Sequence, residues 1–265
     1  MRLFSSSTPS LSAARMVTKP VQKRHPMELP AYARMELIPG HDQAAYERAK
    51  IIGIGAGGLG SEVYHGAVRK GIGALDIYDM DAVDLSNLAR QKFYGRDLAK
   101  NKAQRLVHNL SPEATRTTVL TGYSMTFQDA QQMGINLDGD VICCLVDSDE
   151  TRVDVARHYL SKRPVVFAGT GFNADAAYVF VQEPGKACFV CMFPDALNSK
   201  GGGACAPSEI GLVKMISGFA LFAIDTLLMP RKRFWNYRAM SLSGRFEEQM
   251  YIVERRPDCE LCGGM

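Results

Sequence analysis

Two groups of residues in this 265-residue chain have types and spacings suited to chemistry. The first is Gly55-Ala56-Gly57-Gly58-Leu59-Gly60, a GxGxxG pattern directly after the apolar run Ile51, Ile52 and Ile54. Glycines there let the backbone turn tightly, so that a following helix aims its unpaired N–H groups at a phosphate. Asp79 lies 19 residues past Gly60, where a carboxylate can hold ribose hydroxyls, and Asp81 follows as a second acid. The second group is a pair of Cys-x-x-Cys knuckles, Cys188/Cys191 and Cys259/Cys262, with 67 residues between them. Four thiolates make the tetrahedral set that structural zinc prefers. A redox CxxC is the alternative, but it does not explain why there are two.

Elements must hold these groups in place. Leu59 to Lys70 reads as a helix, Gly71 and Gly73 break it, and Ala74 to Tyr78 reads as a strand that ends at Asp79. Ala99 to Asn109 has helical spacing, Thr117 to Thr121 reads as a strand and Gln128 to Met133 as a helix. Val141 to Val146 reads as a buried strand in which Cys143 and Cys144 are packing atoms. Pro164 to Gly169 and Asp175 to Gln182 read as further strands, and a long apolar helix starts near Glu209. Before that helix, Asn198 to Pro207 is loop by composition and places the single thiol of Cys205 among glycines, which suits a moving nucleophile. The alternation of strands and helices is that of an α/β domain.

Composition excludes several classes. At 46% hydrophobic and 22% charged, the chain can bury a full core as one α/β domain with an extra lobe or extension. Residues 1–26 carry Arg2, Arg15, Lys19, Lys23 and Arg24 and no acid, so the other 239 residues balance at −2 and form no nucleic-acid-binding surface by charge. That basic, Ser-rich stretch reads as a disordered tail or an organellar transit peptide, leaving 27–265 as the domain; the compartment is then cytoplasmic, or organellar if the tail is a targeting signal. Ile210 to Met229 is apolar enough for a membrane span, but Lys214 and Asp225 inside it would be costly there, so it reads as a buried helix and no membrane partner is expected. Seven cysteines, four of them in CxxC pairs, point to metal and thiol chemistry in a reducing compartment rather than to a disulfide framework. No GxxxxGK[ST] occurs, which disfavours a P-loop ATPase.

The stretch Asp79-Met80-Asp81-Ala82-Val83-Asp84-Leu85-Ser86-Asn87-Leu88-Ala89-Arg90-Gln91 closely resembles the D-x-D-x-V-x-x-S-N-L-x-R-Q signature of the ThiF/MoeB/HesA family, the adenylyltransferases related to ubiquitin-activating enzymes. Asp147-Ser148-Asp149-Glu150-Thr151-Arg152 is similar to the family's D-N-x-x-x-R, with Ser148 in place of Asn, and Tyr32 and Arg34 match part of its R-Y-x-R-Q segment, with Ala31 and Met35 departing from it. The resemblance implies a Rossmann-like, doubly wound, mostly parallel sheet with an antiparallel extension and a Cys₄ zinc site. It implies ATP-dependent adenylation of the C-terminal glycine of a ubiquitin-like or sulfur-carrier protein. Gly55, Gly57, Gly58, Gly60, Asp79, Asp81, Asn87, Arg90 and Lys102 would bind ATP, with Lys100 the alternative to Lys102, and Asp147 would hold Mg²⁺, an N-cap being the structural alternative at Asp147 or Ser148. Arg34 would reach across a homodimer to the partner's ATP. Cys205 would accept the carrier as a thioester or acyl disulfide, with a separate sulfur donor or conjugating enzyme. Two other readings stand beside this one. An NAD-dependent Rossmann oxidoreductase would share Gly55 to Asp79 but has no use for Ser86 to Arg90, and a non-catalytic ThiF-fold scaffold would keep the fold and the zinc.

Overall fold

The computed structural model describes residues 15–18, 31–171, 175–199, 209–242 and 245–264. Its strands are β1 (Arg15–Thr18), β2 (Lys50–Ile54), β3 (Ala74–Tyr78), β4 (Val119–Tyr123), β5 (Val141–Cys144), β6 (Val165–Thr170), β7 (Ala176–Gln182), β8 (Tyr237–Ser241) and β9 (Glu247–Tyr251). Its helices are α1 (Gln43–Arg48), α2 (Gly58–Arg69), α3 (Lys102–Leu110), α4 (Phe127–Gln132), α5 (Asp149–His158), α6 (Phe189–Met192) and α7 (Ile210–Leu228). All of the described strands join one sheet, in the order β1-β4-β3-β2-β5-β6-β7-β8-β9. From β4 to β6 the neighbours are parallel. β1 is added antiparallel at one edge and β7, β8 and β9 at the other. The mostly parallel sheet with an antiparallel extension is thus present, and β1 lies inside the stretch read from sequence as a tail.

The central strands are continuous apolar runs because both faces of a parallel sheet are covered. Ile51 of β2 is buried among α2, α3 and α7, whereas Ile52 and Ile54 are buried on the other face with Phe127 of α4, Val153 of α5 and Phe189 of α6. α7 lies along α2, and they meet at Gly66, where a Cβ would come within 2.3 Å of Leu221 Cδ1. Leu212, Val213, Ile216, Ala220, Ala223 and Ile224 bury its inner face, as expected of a core helix. Asp225, only 4% exposed, is paired with Lys70 and with Arg231 at 3.0 Å, so its charge is neutralised within the protein.

One boundary differs from the sequence reading in a way that matters for the site. The helix expected from Ala99 begins at Lys102, because Ala99 has φ +59 and the side chain of Asn101 caps the helix by accepting from Gln104 N at 3.0 Å. Lys102 therefore occupies the first helical position. β2 sits between β3 on one side and β5 on the other, so the chain's winding reverses at β2 and opens a crevice at the C-terminal ends of these strands.

Candidate nucleotide site and cysteine cluster

The glycine turn lies at that reversal. Gly55 has φ +95, and a Cβ on it would stand 2.8 Å from Leu145 O, just beyond the end of β5. At Gly60 a Cβ would fall 2.3 Å from Gly55 O, so only glycine lets the first turn of α2 close onto β2. At Gly57, by contrast, nothing lies within 4 Å of an added Cβ. Gly57 is also the N-cap of α2 and supplies no side-chain cap, so the open side of the turn presents backbone alone at a helix N-terminus. That is the arrangement in which a phosphate meets free N–H groups.

Asp79 ties the turn to the acidic loop. Its Oδ2 accepts from Ala56 N at 2.7 Å and its Oδ1 from Asp81 N at 2.8 Å. Burial pushes its carboxyl above the usual range, against those two N–H groups, which pull it down. Each oxygen has a second lone pair, so the same carboxylate that clamps the turn can accept from ribose hydroxyls. Beyond it the loop zips onto the start of α3: Val83 N donates to Lys100 O at 2.8 Å and Lys102 N to Asp81 O at 2.8 Å. The Lys102 ammonium, with its side chain 13% exposed, then sits 2.9 Å from Asp81 Oδ2. Lys100 points elsewhere and donates to Arg96 O at 2.7 Å. Asn101, not singled out from the sequence, donates to Asp79 O at 2.8 Å; an Asn just before a helix was the available signal.

The rest of the signature forms a short 3₁₀ turn, Leu85–Asn87, closed by a capping box. Asp84 Oδ1 accepts from Ser86 N at 2.8 Å, and Asn87 Oδ1 accepts from Asp84 N at 2.9 Å. Asn87 is buried, with its side-chain oxygen committed to the loop itself, so its part in building this turn is one the motif did not reveal. Arg90 follows, its carbonyl 4.0 Å from where a Cβ on Gly58 would stand, which sets the signature loop against the N-terminus of α2. Val213, in the first turn of α7, comes to 3.9 Å of the same point. Asp147 is exposed just past β5, two residues after Leu145, which touches Gly55. The cap of α5 is Ser148, whose Oγ accepts from Thr151 N at 3.3 Å.

Arg34 lies apart from this crevice. Tyr32 bonds Thr115 and packs under Gly71, where a Cβ would meet its hydroxyl at 2.2 Å. Gly71 follows the C-terminus of α2, and that helix is 12 residues long. At 1.5 Å per residue this is about 18 Å from the glycine turn, and Arg34, two residues on, is exposed at that far end. Cys205 lies outside the described residues.

The four knuckle cysteines converge. Sγ separations are 3.8 Å for Cys188–Cys191, 3.6 Å for Cys188–Cys259 and 3.4 Å for Cys191–Cys262, and all four sulfurs lie within 4.8 Å of one another. A tetrahedron with metal–sulfur bonds of about 2.3 Å has sulfur–sulfur edges of about 3.75 Å, whereas a disulfide would need about 2.05 Å. The donor set and its size fit one metal ion. All four thiols are buried, and Arg256 N approaches Cys191 Sγ at 3.5 Å, an N–H near a candidate ligand. Gly263 completes the second knuckle, since a Cβ there would lie 2.3 Å from Pro257 O.

The chain is similar to several known adenylyltransferases. The molybdopterin-synthase adenylyltransferase of Escherichia coli is 24% identical over 252 residues, covering 89% of this chain and 97% of that protein. The sulfur carrier protein adenylyltransferase of Thermus thermophilus is 27% identical over 253 residues, covering 89% and 91%. The adenylyltransferase and sulfurtransferase UBA4 of Candida albicans is 24% identical, covering 89% of this chain, which spans only 57% of that protein's length. Among solved structures, E. coli MccB crystallised with ATP matches 83% of this chain and 68% of its own at a TM-score of 0.68 and 20% identity, which speaks to the fold alone. With a glycine turn clamped by Asp79 at the sheet's reversal, a lysine at the head of α3 and the ThiF family profile matching residues 31–261, the chain belongs to the ThiF family.

Proposed function

We propose that the chain adenylates the C-terminal glycine of a ubiquitin-like or sulfur-carrier protein with ATP. The observation that carries this is the convergence of the open N-terminus of α2, the Asp79 clamp and the buried-stemmed Lys102 on one crevice. An α-carboxyl has a pKa of about 3.5, so the carrier's terminus is already ionised and no general base is needed. The difficulty is an anion attacking a polyanion, and the residues answer it with charge and position. Asp79 would hold ribose, the Gly55–Gly60 turn, Arg90 and Lys102 the phosphates, and Asp147 magnesium. An exposed carboxylate at the end of a parallel strand suits a hard cation, which when bound neutralises charge on the phosphates. Asn87 shapes the loop that carries Arg90, whose Nη1 donates to Ser86 O of the same turn at 3.5 Å. The relatives' names support the substrate class, and family membership favours adenylation over nicotinamide chemistry. Mass spectrometry should detect an AMP adduct on a diglycine-tailed carrier incubated with the chain and ATP; carrier that stays unmodified although it binds would leave the scaffold reading.

Zinc is the metal we assign to the Cys188, Cys191, Cys259 and Cys262 cluster, because four thiolates at tetrahedral spacing are its structural site. Arg34 is assigned to a partner's site in a homodimer, which the position of Tyr32 at the far end of α2 supports. Mixed Arg34→Ala and Asp147→Ala subunits, each inactive alone, should recover activity by forming one intact site. Recovery failing despite subunit exchange would remove Arg34 from the mechanism.

Cys205 is assigned the later transfer step, as acceptor of the carrier in a thioester or acyl disulfide, with a separate sulfur donor or conjugating enzyme. Support comes from the sequence, where Cys205 is a single thiol among glycines, a composition that suits a moving nucleophile. Cys205→Ser should keep adenylation and lose the covalent carrier–enzyme adduct; an undiminished adduct would exclude it.

A further inference from the structure

Resting on the reading that Asp147 holds the divalent cation, we propose that Arg152 is the positioning residue for Asp147 and that it acts through Val146 and Asp149. Asp147 is exposed on the four-residue connection between β5 and α5. A carboxylate on so short a link binds a cation well only if the link itself is held. Arg152, one turn into α5 with its side chain 11% exposed, reaches back over that link. Its Nη2 donates to Val146 O at 2.7 Å and its Nη1 to Asp149 Oδ1 at 2.6 Å. The first bond fixes the peptide plane that joins Val146 to Asp147, and the second fixes the residue at the other end of Ser148.

The surroundings are shaped to admit the guanidinium. On β6, a Cβ at Gly169 would lie 2.8 Å from Tyr178 Cε1 and 2.9 Å from Arg152 Nη2, so the sheet leaves a gap that the ring and the arginine share. On β7, the Tyr178 ring centre is 6.0 Å from the guanidinium carbon. Helix stability does not account for this placement. α5 is already capped by Ser148 and has Asp149 and Glu150 in its first turn, and an i,i+3 ion pair whose carboxylate is 36% exposed adds little stability. Asp149 also extends the hold outward: its Oδ2 accepts from Ser199 Oγ at 3.3 Å, just after the 3₁₀ turn Pro194–Asn198 that follows the first cysteine knuckle. One carboxylate thereby ties the Asp147 turn to the segment leaving the cysteine cluster.

The test reads metal affinity directly, with Mn²⁺ replacing Mg²⁺ and followed by electron paramagnetic resonance in the presence of a non-hydrolysable ATP analogue. Arg152→Met should weaken Mn²⁺ binding by about 10-fold or more, the usual cost of removing a group that orients a metal ligand. Gly169→Ala, which crowds the guanidinium together with the Tyr178 ring and removes no charge, should weaken it in the same direction, and Arg152→Lys should recover part of the loss. Binding of the analogue in EDTA, which depends on the glycine turn and Asp79, should stay unchanged. Gly169→Ala decides the matter if Arg152→Met does not fold. Wild-type Mn²⁺ affinity in these variants, with affinity lost in Asp147→Ala, would overturn the role of Arg152 alone. Equal losses with and without metal would reduce Arg152 to a folding role and overturn it too. Wild-type Mn²⁺ affinity in Asp147→Ala would instead overturn the underlying reading, and this proposal with it.

Discussion

Lys102→Ala and Arg90→Ala should each lower ATP–pyrophosphate exchange by about 10²-fold or more, because the proposed reaction joins two anions and its barrier is mainly one of charge. Lys102 has the larger expected effect. Its ammonium is held 2.9 Å from Asp81 Oδ2, so removing it would delete a cation and leave the Asp81 carboxylate uncompensated beside the proposed phosphate site. Lys100→Ala is the matched control: its ammonium is turned toward Arg96 O at 2.7 Å, so exchange should stay near wild type. Exchange rates of the three variants at saturating ATP check this. Activity lost in Lys100→Ala and kept in Lys102→Ala would reverse the assignment.

Cys259→Ser, or prolonged chelation, should lower the melting temperature by roughly 10 °C, since several kcal/mol would be at stake and a domain of this size shifts by about 2–4 °C per kcal/mol. The four cysteines are not a surface ornament: they belong to the buried cluster that includes Phe180, Phe189 and Tyr237. The metal would fasten the last residues of the chain to that cluster. Burial holds the Cys188 thiol above its usual range, so metal must displace its proton and affinity falls with acid. Elemental analysis should find one zinc per chain. A folded, unchelated preparation with no metal, melting as Cys259→Ser does, would contradict the assignment.

How much of this was legible beforehand depended on whether the signal was local. Ala74–Tyr78 is legible to the residue, because Gly73 and Asp79 bracket it. The start of α3 is not, since the spacing of Ala99, Ala103 and Leu106 continues through a residue whose backbone is left-handed. β9 carries no alternation to detect: Glu247 to Tyr251 are all exposed, and pairing with β8 alone makes them a strand. α5 is polar over most of its surface, with Val153, Val155 and Ala156 buried, and its pattern is too sparse to mark a helix. In the site, the glycine turn, Asp79 and the cysteine pairs follow fixed spacings and could be named at once. Contacts from side chain to backbone could not. Asn87 closing onto Asp84, Asn101 holding Asp79 and Arg152 holding Val146 join positions whose separations have no fixed rule. Asp97 is another such case, fully buried with Arg105 Nε at 2.7 Å and Asn109 Nδ2 at 2.7 Å, where it braces the loop before α3.

The most direct test of adenylation is exchange of labelled pyrophosphate into ATP by the purified chain, run with a small diglycine-tailed protein that binds it and with the same protein amidated at its C-terminus. Exchange with the free carboxylate, and its loss with the amide, is the predicted result. A carrier that binds the chain yet supports no exchange would contradict the account.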